Sequence, residues 1–144
     1  MKCVVASVVL AIATISAEAA ADDRVVEEML KHTSGISSDD IRRDYDGCDS
    51  GVTFSMKLCA SYRWTEQDIR LNAAYKRLRE QTDKGDLETL LNAQRAWLAY
   101  RDAECAFEGR AGAGGGTAEG LYVLWCKEGL TRQQADRLIA AGQN

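Results

Sequence analysis

The sequence predicts an all-α fold: a small disulfide-tied helical domain built on an antiparallel helical hairpin with short C-terminal helices. Three observations carry that expectation. Apolar residues recur at three-and-four spacing over two long stretches, about 55–82 and 87–105, as in a helix with one core-facing side. Only Val52-Thr53-Phe54 reads as a strand, which is too short to build a sheet. Four cysteines remain once the leading segment is set aside, and an even number in an oxidising compartment reads as two disulfides.

That leading segment has the form of a secretory signal. Met1-Lys2 supplies a positive start, Cys3 to Ile15 is an almost unbroken apolar run, and Ala17-Glu18-Ala19 offers small residues to a signal peptidase, with cleavage after Ala19 or Ala21. The run falls short of the ~20 residues a membrane span needs. Cys3 stands at its beginning, whereas a lipoprotein carries its cysteine at the end. Residues 1–21 are therefore read as a signal peptide, 22–47 as an N-terminal variable segment and 48–144 as the helical domain, and a chain of 144 residues suits one core. The expected product is periplasmic or secreted, with no stable membrane insertion after signal removal.

Beyond the signal, Asp22 to His32 forms a short helix that Thr33-Ser34-Gly35 breaks, and Ser37-Ser38-Asp39-Asp40 caps another brief one through Tyr45. Gly47 to Gly51 reads as a loop around Cys48. The 55–82 helix puts Trp64, Asp68, Leu71, Tyr75 and Leu78 on one face, and Thr82 to Asp86 ends it. So short a connection turns the next helix back antiparallel. On that helix Leu87, Leu90, Leu91, Trp97, Leu98 and Cys105 form an apolar stripe, and Gln94 and Arg101 project from its middle. A polar group there is costly unless paired, so each requires a partner. For Arg101 the expected partner is Asp68 on the preceding helix. Gly109 to Gly116, five glycines in eight residues, is expected to be a loop. It lacks the preceding strand and the following Lys-Ser/Thr of a phosphate cradle. A short helix over Ala118 to Lys127 follows. Thr131, with Gln134 three positions on, has the capping-box form for a last helix through Ile139.

The cysteines left after signal removal are Cys48, Cys59, Cys105 and Cys126, which allow three pairings. Closure of short local loops favours Cys48 with Cys59 and Cys105 with Cys126. Zinc is the competing use, but no CxxC pair occurs and the one histidine, His32, is remote from every cysteine. No metal and no cofactor are expected. Asp68, Asp102 and Glu104 are the candidate acid/base carboxylates a muramidase would need, yet no serine or cysteine has a base beside it. The chain is read as a non-enzyme. A net charge of −4 disfavours nucleic acid and anionic lipid and suits a basic partner.

An ordered set of residues runs through the domain: Cys59; Asp68, Leu71, Asn72 and Tyr75; Gln94, Arg95 and Trp97; Tyr100, Arg101, Asp102 and Cys105; Gly115-Gly116-Thr117; then Cys126 and Thr131. Over roughly Cys48 to Leu138 this resembles the lysozyme inhibitor LprI family of small exported bacterial proteins. The Gln-Arg-Ala-Trp and Arg-Asp-x-x-Cys block carries the specificity. One departure is that the arginine expected third after Thr131 is Gln134, leaving Arg132 or Arg137 to stand for it, and the glycine-rich stretch is longer than usual. The resemblance implies a helical, disulfide-tied envelope protein that binds and inhibits lysozyme, c-type above all. The alternative is a periplasmic binding or structural module for another partner, so the implied partners are lysozyme or another basic envelope protein. The motif residues fall on core-facing stripes, so partner contact is expected from Gly109 to Gly116 or the N-terminal segment, which no pattern defines further.

Overall fold

The computed structural model describes residues 20–143, so the signal-peptide expectation, which rests almost wholly on residues 1–19, lies outside the described residues. Five helices follow in order: α1 (Asp23–His32), α2 (Ser38–Asp44), α3 (Thr53–Gln81), α4 (Leu87–Ala113) and α5 (Glu119–Ala141), with one 3₁₀ turn at Gly47–Asp49 between α2 and α3. No strand occurs among the described residues. The all-α reading holds.

The two short N-terminal helices begin at side-chain caps. The Asp22 carboxylate accepts from the Arg24 amide, and the Asp22 amide donates to the Tyr62 hydroxyl at 2.6 Å, which sets the start of α1 on α3. Ser37 and Asp40 form a reciprocal capping box at the start of α2. Hydrogen bonds from the Ser37 hydroxyl and amide, with Arg43 beyond, hold the Asp40 carboxyl down to about 2. Val25, Val26 and Met29 of α1 and Ile41 of α2 then bury against Leu58 and Tyr62 of α3, making the first of two cores. Residues 22–47 are packed structure and cap the first half of α3.

The second core lies along the other half of α3, where Leu71 and Ala74 meet Ala135 and Leu138 of α5, with Tyr75, Leu78 and Trp97 at its edge. α3 and α4 are antiparallel: Asp68 faces Arg101, and Tyr75 shares a cleft with Leu87 and Leu91. Their backbones nevertheless keep apart, and α5 lies close to both. Small residues explain the close packing of α5 on α3, since Ala74 and Ala135 let the helices approach. Large ones explain the gap between α3 and α4, which Trp64, Trp97 and Arg101 fill. α5 runs parallel to α3, with Gly120 near Lys57, Asp136 bonded to Arg70 at 2.6 Å and Gly142 near Gln81. Cys48–Cys59 and Cys105–Cys126 are the disulfides, closing sequence separations of 11 and 21 residues. In the chain-entropy picture each contributes about 3 kcal/mol.

Val52-Thr53-Phe54, the one weak strand candidate, is helical: Val52 is the N-cap and the other two begin α3. Three expectations are corrected. Gly109 to Gly116 is largely helix, because α4 continues through Ala113 and only Gly114, Gly115 and Gly116 turn, with φ of 61°, 90° and 96°. Glycine costs a helix ~1 kcal/mol each, but here its missing side chain is what lets α5 approach. A Cβ on Gly109 would lie 2.4 Å from Val123 Cγ2, and one on Gly112 would lie 2.7 Å from the Tyr122 ring. The two short C-terminal helices are one helix, and Thr131 is not a cap but is fully buried in its middle. Burial on both sides of Gly129 outweighs the propensity for a break there. Lastly, the leucine stripe of α4 is not its deepest line: Leu91 is exposed, while Gln94, Arg101, Cys105 and Gly109 are buried.

Two alanine substitutions should therefore act with opposite sign in urea or thermal unfolding. Gly109→Ala should destabilise, since overpacking of about 1–3 kcal/mol exceeds the propensity gain. Gly129→Ala, where an added Cβ meets nothing within 4 Å, should stabilise by ~1 kcal/mol.

Candidate functional site

The residues singled out on α3 and α4 converge on a polar layer between the helices. Arg101 stands on the buried line of α4 and is only 6% exposed. Its guanidinium carbon lies 5.4 Å from the centroid of Trp97 and 5.8 Å from that of Trp64, between two aromatic rings. Nε and Nη2 donate to Asp102 Oδ1 at 3.0 and 2.9 Å. Nη1 lies 3.5 Å from Asp68 Oδ1, an ion-pair contact without hydrogen-bond geometry. Asn72, one turn on from Asp68, donates to its other oxygen at 2.9 Å. Lys127 of α5 completes the set, with Nζ 3.4 Å from Asp102 Oδ1 and 4.9 Å from the Trp64 centroid.

Two cations thus meet two carboxylates around two indoles. Partial burial pushes the Asp102 carboxyl up, but the hydrogen bonds from Arg101 and the charges of Arg101 and Lys127 outweigh it, so Asp102 titrates below the usual carboxylate range. A buried guanidinium is costly to desolvate, and such a cluster adds little net stability but loses heavily when one partner is removed. Its effect is to fix which faces of α3, α4 and α5 meet.

Below this layer the Gln134 side-chain amide donates to Gln94 Oε1 at 3.2 Å, both residues buried. The partner that Gln94 requires is the residue the sequence suggested as a capping-box glutamine. Leu71 belongs to the second core and Tyr75 packs on it. Arg95 and Tyr100, also in the motif block, are exposed and stay outside the cluster. Lys127 is the member that sequence reasoning missed, while Trp64, outside the motif set, stands on the Asp68 face as expected. Trp64 is one helical turn before Asp68, a spacing that places it on the same face.

Asp68 and Asp102 are both engaged by Arg101, the four described cysteines are in disulfides, and His32 of α1, which lines a cleft together with Trp64 and Asp68, lies 3.2 Å from Glu28. No group of three His, Cys, Asp or Glu side chains that could hold a metal occurs among the described residues. None of their helices is long and apolar enough to cross a membrane.

These features define a class: a small helical scaffold fixed by two disulfides and an internal ion cluster. The chain belongs to the lysozyme inhibitor LprI family, whose pattern matches residues 47–138. It is also 34% identical over 96 residues to the uncharacterized protein R02472 of Rhizobium meliloti (strain 1021), covering 58% of this chain and 68% of that one. No solved structure matches it.

Two outcomes follow from the buried polar layer. Gln94→Leu should cost about 1–3 kcal/mol by leaving the Gln134 amide without its acceptor, and Gln134→Leu added to it should recover most of the loss in chemical unfolding. On acidification the unfolded chain takes up a proton at Asp102 before the folded one does. The stability from this lowered pKa is therefore complete at neutral pH and lost as the pH falls through the ordinary value of 3.8 toward the lower folded one. Asp102→Asn should flatten that part of the pH–stability curve.

Proposed function

We propose that the protein is exported from a bacterial cell and binds and inhibits lysozyme, the c-type enzyme first, without catalysis of its own. The observation that carries this reading is the family match over residues 47–138. Its net charge of −4 and isoelectric point near 5.1 favour encounter with a basic enzyme. The paired cysteines and the signal-like start of the sequence suit the periplasm or the cell exterior, where lysozyme acts.

In physical terms such an inhibitor blocks a substrate cleft by presenting a rigid surface to it. Rigidity matters because every side chain or loop ordered on binding subtracts from affinity. The disulfides and the Arg101 cluster supply that rigidity from between the helices. The family motif then serves chiefly to preserve the scaffold.

The decisive measurement is the rate of cell-wall lysis by c-type lysozyme with increasing oxidised protein. The rate should fall until the inhibitor is in stoichiometric excess. Arg101→Ala should lose inhibition only in step with its loss of thermal stability. If lysis by several lysozymes is unchanged at micromolar excess, the inhibitor reading gives way to a binding module for another envelope protein.

A further inference from the structure

The molecule's charge is unevenly divided. Residues 20–52, which form the cap of α1, α2 and the 3₁₀ turn, hold nine Asp and Glu against four Lys and Arg, a net −5, whereas residues 53–144 hold 12 against 13, a net +1. All four cap cations are already in ion pairs inside the cap: Arg24 with Asp22, Lys31 with Glu28, Arg42 with Asp23, and Arg43 with Asp40 and Asp44. Asp39, Asp46 and Asp49 are exposed, and none of them is within salt-bridge distance of a cation in the described structure.

A groove runs where the cap meets α3 and α5. Its apolar end, about 220 Å³, is lined by Met29, Ile36, Leu58, Leu124 and the half-exposed Phe54, with Lys57 the one charged side chain among them, so the negative charge that would meet a partner comes from the cap and not from the groove itself. Through Met29, Thr33 and Ser61 it continues into a polar cleft of about 200 Å³ that includes Glu28, His32, Trp64 and Asp68. The indole N–H of Trp64 is buried there without an acceptor. The turn bearing Asp46 and Asp49 is pinned next to the groove wall by Cys48–Cys59, since Cys59 follows the lining residue Leu58.

We infer that this groove is the docking surface for a basic protein, which inserts an apolar side chain over Leu58 and Leu124 while its cations meet the unpaired carboxylates of the cap. Charge selects the occupant. A second copy would bring two caps of net −5 together, and an anionic lipid surface would be repelled, whereas a cationic protein gains both steering and burial. The identity of that protein as lysozyme rests on the reading proposed above. The cap lies almost wholly outside residues 47–138, whereas Phe54, Leu58 and Leu124 lie within them, so the acidic side of this surface falls outside the family pattern and the apolar side within it.

Calorimetric titration of the oxidised protein with c-type lysozyme, at low and at physiological salt, tests the inference. Three variants are compared with the native chain: Asp39→Asn with Asp46→Asn and Asp49→Asn; Phe54→Ala; and a control at the far end of the bundle, Asp83→Asn with Asp86→Asn and Glu88→Gln. Melting curves establish that each is folded. The cap variant should bind about tenfold more weakly at low salt and lose most of its salt dependence, Phe54→Ala should weaken binding at both salts, and the control should match the native chain. Native-like binding by the cap and Phe54 variants overturns the docking surface and leaves the inhibitor reading intact. Binding that depends on the cap but does not slow lysis upholds the surface and overturns the inhibitor reading. No binding by the native chain overturns both.

Discussion

Everything in the bundle accommodates one buried guanidinium. Arg101 occupies a position where a leucine would serve packing more cheaply, and its charge is tolerable only with Asp68 and Asp102 beside it and an indole on either side. Those partners come from different directions: Asp68 and Trp64 from α3, Asp102 and Trp97 from α4, and Lys127 from α5, which steadies Asp102. Satisfying them together allows one rotation of each helix about its axis and one axial register. The bulk of the cluster also holds α3 and α4 apart, and so creates the space that α5 fills.

What α5 does in that space follows from side chains that are small or missing. It meets α3 across Ala74 and Ala135, and meets α4 where Gly109 and Gly112 leave room for Val123 and Tyr122. Cys105–Cys126 joins the same two helices one turn from Arg101. Ion cluster, disulfide and glycines therefore act on one interface, and each makes the geometry of the others easier to keep.

The sequence was informative wherever a local rule coincided with the tertiary demand. The 3.6-residue period located α3 and α4, the run Ser37-Ser38-Asp39-Asp40 marked the start of α2 and Asp22 that of α1, and loop length selected the disulfide pairs. The requirement that Gln94 and Arg101 have partners could also be read, since it follows from burial alone. It misled where a local rule was overruled by packing. Gly109 and Gly112 looked like helix breakers because propensity counts the cost of glycine and cannot see Val123 and Tyr122 across the interface. Thr131 and Gln134 matched a cap pattern, yet Thr131 is buried mid-helix and Gln134 serves Gln94. Lys127 had no local signal at all, because its partners lie on other helices.

α3, 29 residues and so roughly 43 Å long at 1.5 Å per residue, threads two separate cores. One belongs to α1 and α2, the other to α5. Cooperativity in such an arrangement is divided: the cap unit can open while the bundle beyond Trp64 keeps its contacts, and the helix they share transmits only part of the disturbance. Backbone amides of α1 and α2 then exchange with solvent through a smaller opening than those of α5, so the chain has two protection levels rather than one. Cys48–Cys59 limits how far the cap travels when it opens, because it anchors the end of that unit to the first turns of α3.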